Sequence, residues 1–209
     1  KQGMGYSLLN IGSVNHEKGD DVKVLDYYSR SLKIYEELGN KRGMGASLNN
    51  IGNFYSDKGD IDKALDYFER SLAIEEEIGN KFGMGYSLVN IGIVYCNKGD
   101  YDKAEEILEK SLSIHKELEL GADDFIWSTT YLNLTYKHLG KAYDVNEINR
   151  LIKEAENIEF ELNLRLYELL EDTSYLETAY KQVQEKASAM DEELGVKFLS
   201  YPIPKAIVE

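Results

Sequence analysis

The chain has 209 residues and a formal net charge of −14, which arises from 38 acidic and 24 basic side chains. The acidic excess and the absence of a basic stripe argue against a nucleic-acid-binding protein. The single cysteine excludes a disulfide framework, and no apolar run approaches the ~20 residues of a membrane span. We therefore expect a soluble, acidic, cytoplasmic protein with neither a nucleic-acid nor a membrane partner.

Residues 1–120 are predicted to hold three regular repeats, because the units 3–42, 43–82 and 83–122 align without a gap. The first two units share 24 of 40 positions, and the second and third share 20. Such identity at a fixed period is typical of a solenoid of stacked helical units. The chain begins in the same repeat phase as residues 41 and 81, so we expect it to be a piece of a longer array or of a multidomain parent.

Each unit is predicted to contain two helices, and the second unit illustrates why. Leu48, Ile51 and Tyr55 recur at spacings of three and four residues, which is the apolar stripe of a helix. Gly59 is expected to end this helix and Asp60 to cap the next. The same pair of residues stands at 19–20 and at 99–100.

A glycine also recurs inside the first helix of each unit, where it costs about 1 kcal/mol relative to alanine. This column predicts a close helix crossing, with a small residue of the second helix as the partner. The glycines are Gly12, Gly52 and Gly92, and the expected partners are Val24, Ala64 and Ala104. A further column of small residues comprises Ser31, Ser71 and Ser111.

These residues resemble the tetratricopeptide repeat. The second unit fills the family's pattern in order with Leu48, Ile51, Gly52, Tyr55, Gly59, Asp60, Ala64, Phe68 and Ser71. The first unit departs from it at Asn15 and Val24, and the third has Leu108 for the aromatic residue. A 40-residue period is similar to the repeats of kinesin light chains, spindle-orientation adaptors and bacterial peptide-sensing regulators. The resemblance implies an all-α, right-handed superhelix of about five helix pairs.

The repeat decays after residue 120, and the remaining helices are predicted to be divergent. Residues 121–158 are expected to form a fourth, repeat-like helix pair. Residues 159–195 are expected to form a capping pair, starting with a helix at 160–170. Residues 196–209 are predicted to be a non-helical tail or linker, because Pro202 and Pro204 cannot continue a helix.

Enzymatic chemistry is not indicated by any motif of the sequence. His16, His115 and His138 lie in different units, without a nucleophile at a recognisable spacing. The Gly-Met-Gly at 43–45 lacks the third glycine and the preceding strand of a dinucleotide site. We therefore predict a non-enzymatic protein with neither a cofactor nor a metal.

A ligand groove is implied by the resemblance, because the first helices of such repeats line a concave surface. An asparagine column precedes Ile-Gly in every unit, and an amide can both donate to and accept from a peptide backbone. This column comprises Asn10, Asn50 and Asn90. The other implied peptide-binding residues are Asn49, Asn53, Tyr6, Tyr86, Val89, Ile93 and Trp127.

Two alternatives remain open at this point. The asparagine column could only bond a neighbouring helix or cap a turn between units. The chain could also be a regulatory or assembly segment of a larger signalling protein, for example one fused to a cyclase or kinase. In that case an uncovered N-terminal repeat edge would mediate self-association.

Overall fold

The structure, a computed structural model, describes residues 1–17 and 20–209. Gly19, the predicted end of the first helix, lies outside the described residues. Within those ranges the chain is an all-α repeat superhelix without a strand. Its helices are α1 Gln2–Glu17, α2 Asp21–Leu38, α3 Lys41–Asp57, α4 Ile61–Glu77, α5 Lys81–Lys98, α6 Tyr101–Glu117, α7 Ala122–His138, α8 Val145–Glu154, α9 Phe160–Leu170, α10 Thr173–Ser188, α11 Glu192–Leu199 and α12 Pro202–Val208.

Helices α1 to α6 form the three repeat pairs, each packed on the next. Asp60 is the N-cap of α4, and its side chain accepts a hydrogen bond from the Lys63 amide. Gly59, just before it, adopts the left-handed conformation at φ 74° that commonly follows a helix. The predicted helix boundary at Gly59 and Asp60 is therefore confirmed.

The glycine column inside the first helices faces large side chains rather than the small ones that we predicted. The nearest side-chain atoms to Gly52 belong to Phe68, and a Cβ at Gly52 would lie 2.5 Å from Cε1 of that ring. Tyr28 and Leu108 lie in the same way against Gly12 and Gly92. The missing Cβ thus makes room for a buried side chain of the second helix.

Replacing Gly52 by Ala is therefore expected to destabilise the protein. The buried Phe68 ring has little room to move, so overpacking outweighs the gain in helix propensity, and we expect a net loss of about 1 kcal/mol. Urea unfolding measures it. Gly3→Ala is the matched control, because nothing lies within 4 Å of a Cβ at that helical position. Equal stability of the two variants would contradict the steric explanation.

The serine column is a repeated polar link between the two helices of each unit. The hydroxyls of Ser31, Ser71 and Ser111 donate to main-chain carbonyls of the preceding helix at 2.8, 2.9 and 3.0 Å. The acceptors are the carbonyls of residues 5, 45 and 85. All three serines are buried, so each bond satisfies a hydroxyl that water cannot reach.

The C-terminal region continues as helices, and α9 has the bounds that we predicted for it. The structure differs from the predicted non-helical tail, because α11 reaches Leu199 and α12 follows it. Pro202 is the first residue of α12 and Pro204 the third. A first-turn N–H has no partner within its helix, so prolines at these positions remove no helical hydrogen bond.

The last two helices return to the first two repeat units. The Tyr201 hydroxyl donates to Oδ2 of Asp21 at 2.7 Å. Nζ of Lys58 lies 2.6 Å from Oδ1 of Asp21, and Nζ of Lys197 lies 2.5 Å from its Oδ2. We refer to Asp21, Lys58, Lys197 and Tyr201 as the C-terminal clasp. It joins the two ends of the superhelix.

None of the helices in the described ranges is both long and apolar enough to cross a membrane.

Candidate binding groove

A cavity of about 410 Å³ opens along the first helices of the repeats. It is lined from α1, α3, α5 and α7 and by one residue from each of α2, α4 and α6, and Glu161 of α9 contributes to its wall. The structure brings seven of the ten predicted site residues to this one cavity. They are Asn50, Asn53, Tyr86, Val89, Asn90, Ile93 and Trp127. Their contact with a ligand stays a prediction.

Three predicted residues lie elsewhere. Asn49 lines a neighbouring cavity of about 460 Å³ at the seam between the second and third units, which it shares with Tyr86. Asn10 and Tyr6 are exposed on α1 and line neither of these cavities. The groove is centred on the second to fourth units, and the first unit contributes the C-terminal part of α1 and Tyr28 of α2.

The asparagine column is divided between two roles. Nδ2 of Asn90 donates to Oδ1 of Asn49 on the neighbouring helix at 3.0 Å, as the structural alternative predicts. In the part of the chain that the structure describes, the amide of Asn50 has no hydrogen-bond partner. Of the two column members that line the groove, Asn50 is therefore the one whose whole amide is available to a ligand.

The groove wall is acidic. Four carboxylates line it, and none of the side chains described around the cavity is Lys or Arg. Asp57 pairs with Nε2 of His16 at 2.9 Å, and Asp124 accepts a hydrogen bond from Tyr86. Burial raises the pKa of Glu161, which accepts from the Tyr131 hydroxyl at 2.7 Å. The arrangement disfavours an anionic ligand group at this wall.

His115 was missed as a groove residue by sequence reasoning, which treated it as an ordinary histidine. Its side chain is buried between the rings of Tyr86 and Phe125, at centroid distances of 6.0 and 5.9 Å. Neither ring nitrogen has a hydrogen-bond partner among the described residues. A signal was present, since residue 115 occupies the repeat position of Tyr35 and Glu75, which varies between units of high identity.

Acidification is expected to destabilise the protein through His115. Burial lowers its pKa below 6.5, although Asp124 opposes this. The unfolded state then binds more protons than the folded state. Stability is therefore lost as the pH falls below the pKa that this histidine has in the unfolded state. Thermal unfolding between about pH 7.5 and about pH 5 should show this slope, and His115→Gln should reduce it. An identical slope in both proteins would contradict the assignment.

Two family models described as tetratricopeptide repeat match residues 4–77 and 85–123, together more than half of the chain. No curated protein sequence matches the chain.

Three solved structures share the fold. The apo form of RapI superposes with a TM-score of 0.70 at 17% identity over 99% of this chain and 64% of its own. A Rap protein complexed with Competence and Sporulation Factor gives 0.67 at 18%, over 99% of this chain and 62% of its own. A protein of Podosopora anserina, described as a kinesin light chain with nearly identical TPR-like repeats, gives 0.58 at 16%, over 100% and 96%. The chain thus spans less than two thirds of the Rap proteins, and identities this low show the fold alone.

Proposed function

The chain belongs to the tetratricopeptide repeat family, and from that premise we propose that it is a non-enzymatic module that binds an extended peptide or protein segment. The observation that carries the proposal is the gathering of seven predicted groove residues around one open cavity. A Rap protein of the same fold is described in complex with Competence and Sporulation Factor. This complex supports the binding of a separate molecule by a repeat array of this fold.

The floor of the groove suits a peptide in extended form. First helices of successive units lie on the order of 10 Å apart, which about three extended residues span. Asn50 offers a donor and an acceptor to the peptide backbone. Trp127 offers apolar surface to the side chains of the peptide, and the buried Val89 and Ile93 add only their exposed edges. The Asn50 amide would thus bind the main chain of the peptide, and the apolar floor of the groove would contact its side chains.

Charge favours a neutral or basic partner. The net charge of −14 attracts cationic molecules over long range, and the groove wall repels anionic ones. A cytoplasmic location of the complex stays a prediction from composition.

Removal of the Asn50 amide is the test of this function. A peptide selected from a random library on the protein, and shown by crystallography to lie in the groove, serves as the probe. We expect Asn50→Ala to weaken its binding about fivefold to tenfold, because two backbone hydrogen bonds are lost. Isothermal titration measures the affinity. Asn149→Ala, an exposed site on α8, is the control, and unchanged affinity in Asn50→Ala would reject the proposed backbone contact.

A second candidate, self-association through the first unit, has one observation in its favour. On the outer face of α1, Ile11 is 41% exposed and Val14 46%, whereas their repeat equivalents Ile51 and Val94 are 2% and 0% exposed. A covering helix would bury this face. Light scattering across a concentration series tests it. An apparent mass that rises with concentration in the unsubstituted protein but not in Ile11→Glu would support this candidate.

A further inference from the structure

The seams between repeat units each enclose one side chain from the end of a second helix. Tyr35, Glu75 and His115 occupy this position at a spacing of 40 residues, and all three are buried. The Tyr35 ring lies against Gly5 and Gly43 in the first seam. The smaller Glu75 in the second seam borders the cavity of about 460 Å³, which we call the seam cavity.

The carboxylate of Glu75 is incompletely paired. Its Oε2 accepts a hydrogen bond from Nδ2 of Asn80 at 2.6 Å. Its Oε1 has no hydrogen-bond partner in the described part of the chain, although the residue is only 4% exposed. Burial raises the pKa of this carboxyl, which reflects the cost of a charge removed from water. A cation that entered the cavity would offset this cost.

Two glycines make room for the Glu75 carboxylate beside the seam cavity. A Cβ at Gly45 would lie 2.1 Å from Oε1, and a Cβ at Gly83 would lie 2.4 Å from Cδ of the same carboxyl group. Any other residue at either position would press on the carboxylate. The position of the Glu75 carboxylate beside the cavity therefore depends on both glycines.

The rim of the cavity offers aromatic faces. Phe82 and Tyr86 are 50% and 37% exposed, with ring centroids 4.8 Å apart. Such rings attract a guanidinium group. Asn49 adds an amide oxygen that accepts from Asn90 and has a second lone pair for a further donor. Arg42 also lines the cavity. It forms no ion pair in the described structure, but its charge partly opposes the rise in the pKa of Glu75 and repels an entering cation.

We propose that the seam cavity binds a guanidinium group, as carried by an arginine side chain of the bound peptide. Glu75 Oε1 and the Asn49 amide oxygen accept its N–H groups, and the ring pair packs on its flat face. The inference rests on the proposed function, because the seam cavity and the groove share Tyr86 and one peptide can reach both. The site itself can be tested without that peptide.

The probe is N-acetylarginine methylamide, followed by the amide resonances of Gly45 and Gly83 in NMR titrations. We expect both resonances to shift in a saturable manner and Glu75→Gln to weaken binding about tenfold. N-acetylcitrulline methylamide has the same shape without the charge and should produce no shift. Shifts equal for both probes, or unaffected by Glu75→Gln, would overturn the proposal.

Arg42→Ala gives a second and independent measurement at an exposed residue. Loss of a repelling charge should tighten arginine-probe binding about twofold to fivefold. Weaker binding would instead show that Arg42 belongs to the site with the opposite role, and would overturn the proposal. If the arginine probe binds here while Asn50→Ala leaves groove affinity unchanged, the backbone contact fails and the guanidinium site stands. If instead the arginine probe does not bind while Asn50→Ala weakens groove binding, only the guanidinium site is rejected.

Discussion

Replacing Asp21 by Ala is expected to release α11 and α12 from the repeats and to lower the free energy of unfolding by about 2 to 3 kcal/mol. The Asp21 side chain is 14% exposed and the paired Lys58 side chain 17%, so Lys58 would lose its counter-ion in a poorly solvated place. Lys197 is 47% exposed and recovers water, which keeps the effect below that of a fully buried pair.

Urea unfolding and amide hydrogen exchange check this result. Exchange in α12 should become fast while α3 to α6 keep their protection, because the clasp lies outside the repeat core. Asp62→Ala is the control, since that carboxylate is 92% exposed and lies 3.4 Å from Lys98. If α12 stays protected in Asp21→Ala, the clasp does not hold the two ends together.

Local signals explain what could be predicted of the fold. Gly59 and Asp60 end one helix and cap the next through contacts within a few residues, so the boundary could be read from the sequence. The side chain that contacts Gly52 could not be read from the sequence, because the rotation of α4 about its axis decides whether Phe68 or Ala64 faces the glycine. The contact of Asp21 with Tyr201 spans 180 residues and has no counterpart in the repeat pattern.

The candidate groove was predictable for the same reason that the fold was. Repeat-equivalent positions share a face, so Asn50 and Asn90 line one cavity together, as do Asn53 and Ile93. The asparagine column in the sequence does not tell which of its amides are free of hydrogen bonds. The hydrogen bond from Asn90 to Asn49 depends on how close the two side chains lie in the fold. Burial of Glu75 was likewise not predicted, because a glutamate near a helix end is usually solvated.

Arg165→Ala is expected to lower the free energy of unfolding by about 3 kcal/mol. This guanidinium lies in α9 with a side chain that is 13% exposed. It donates to the Tyr131 hydroxyl at 3.1 Å, to the Glu168 carboxylate at 2.8 Å and to Oδ1 of Asn97 at 3.1 Å. Its loss removes one polar link of α9 to α7 and one to α5 at once, whereas the bond between Tyr131 and Glu161 remains.

Urea unfolding also measures the Arg165 effect, and two variants define its cause. Arg150→Ala removes an exposed arginine that pairs within its own helix, so we expect no measurable change. Arg165→Lys keeps the charge but loses the planar fork, and an intermediate loss is expected. A loss in Arg165→Lys as large as in Arg165→Ala would assign the stability to the guanidinium hydrogen bonds rather than to charge.

Arg165→Ala also tests whether the acidic wall and the floor of the groove contribute independently to peptide binding. Arg165 and Glu161 both bond the Tyr131 hydroxyl, and the charge of Arg165 opposes the rise in the pKa of Glu161. Arg165→Ala should therefore favour the neutral Glu161 carboxyl and weaken the acidic wall. Asn50 lies on α3 and does not depend on that network. At a temperature where Arg165→Ala remains folded, a basic peptide should therefore lose affinity while a neutral one that depends on Asn50 keeps it. Equal losses for both peptides would mean that α9 shapes the whole groove, and the division into wall and floor would be wrong.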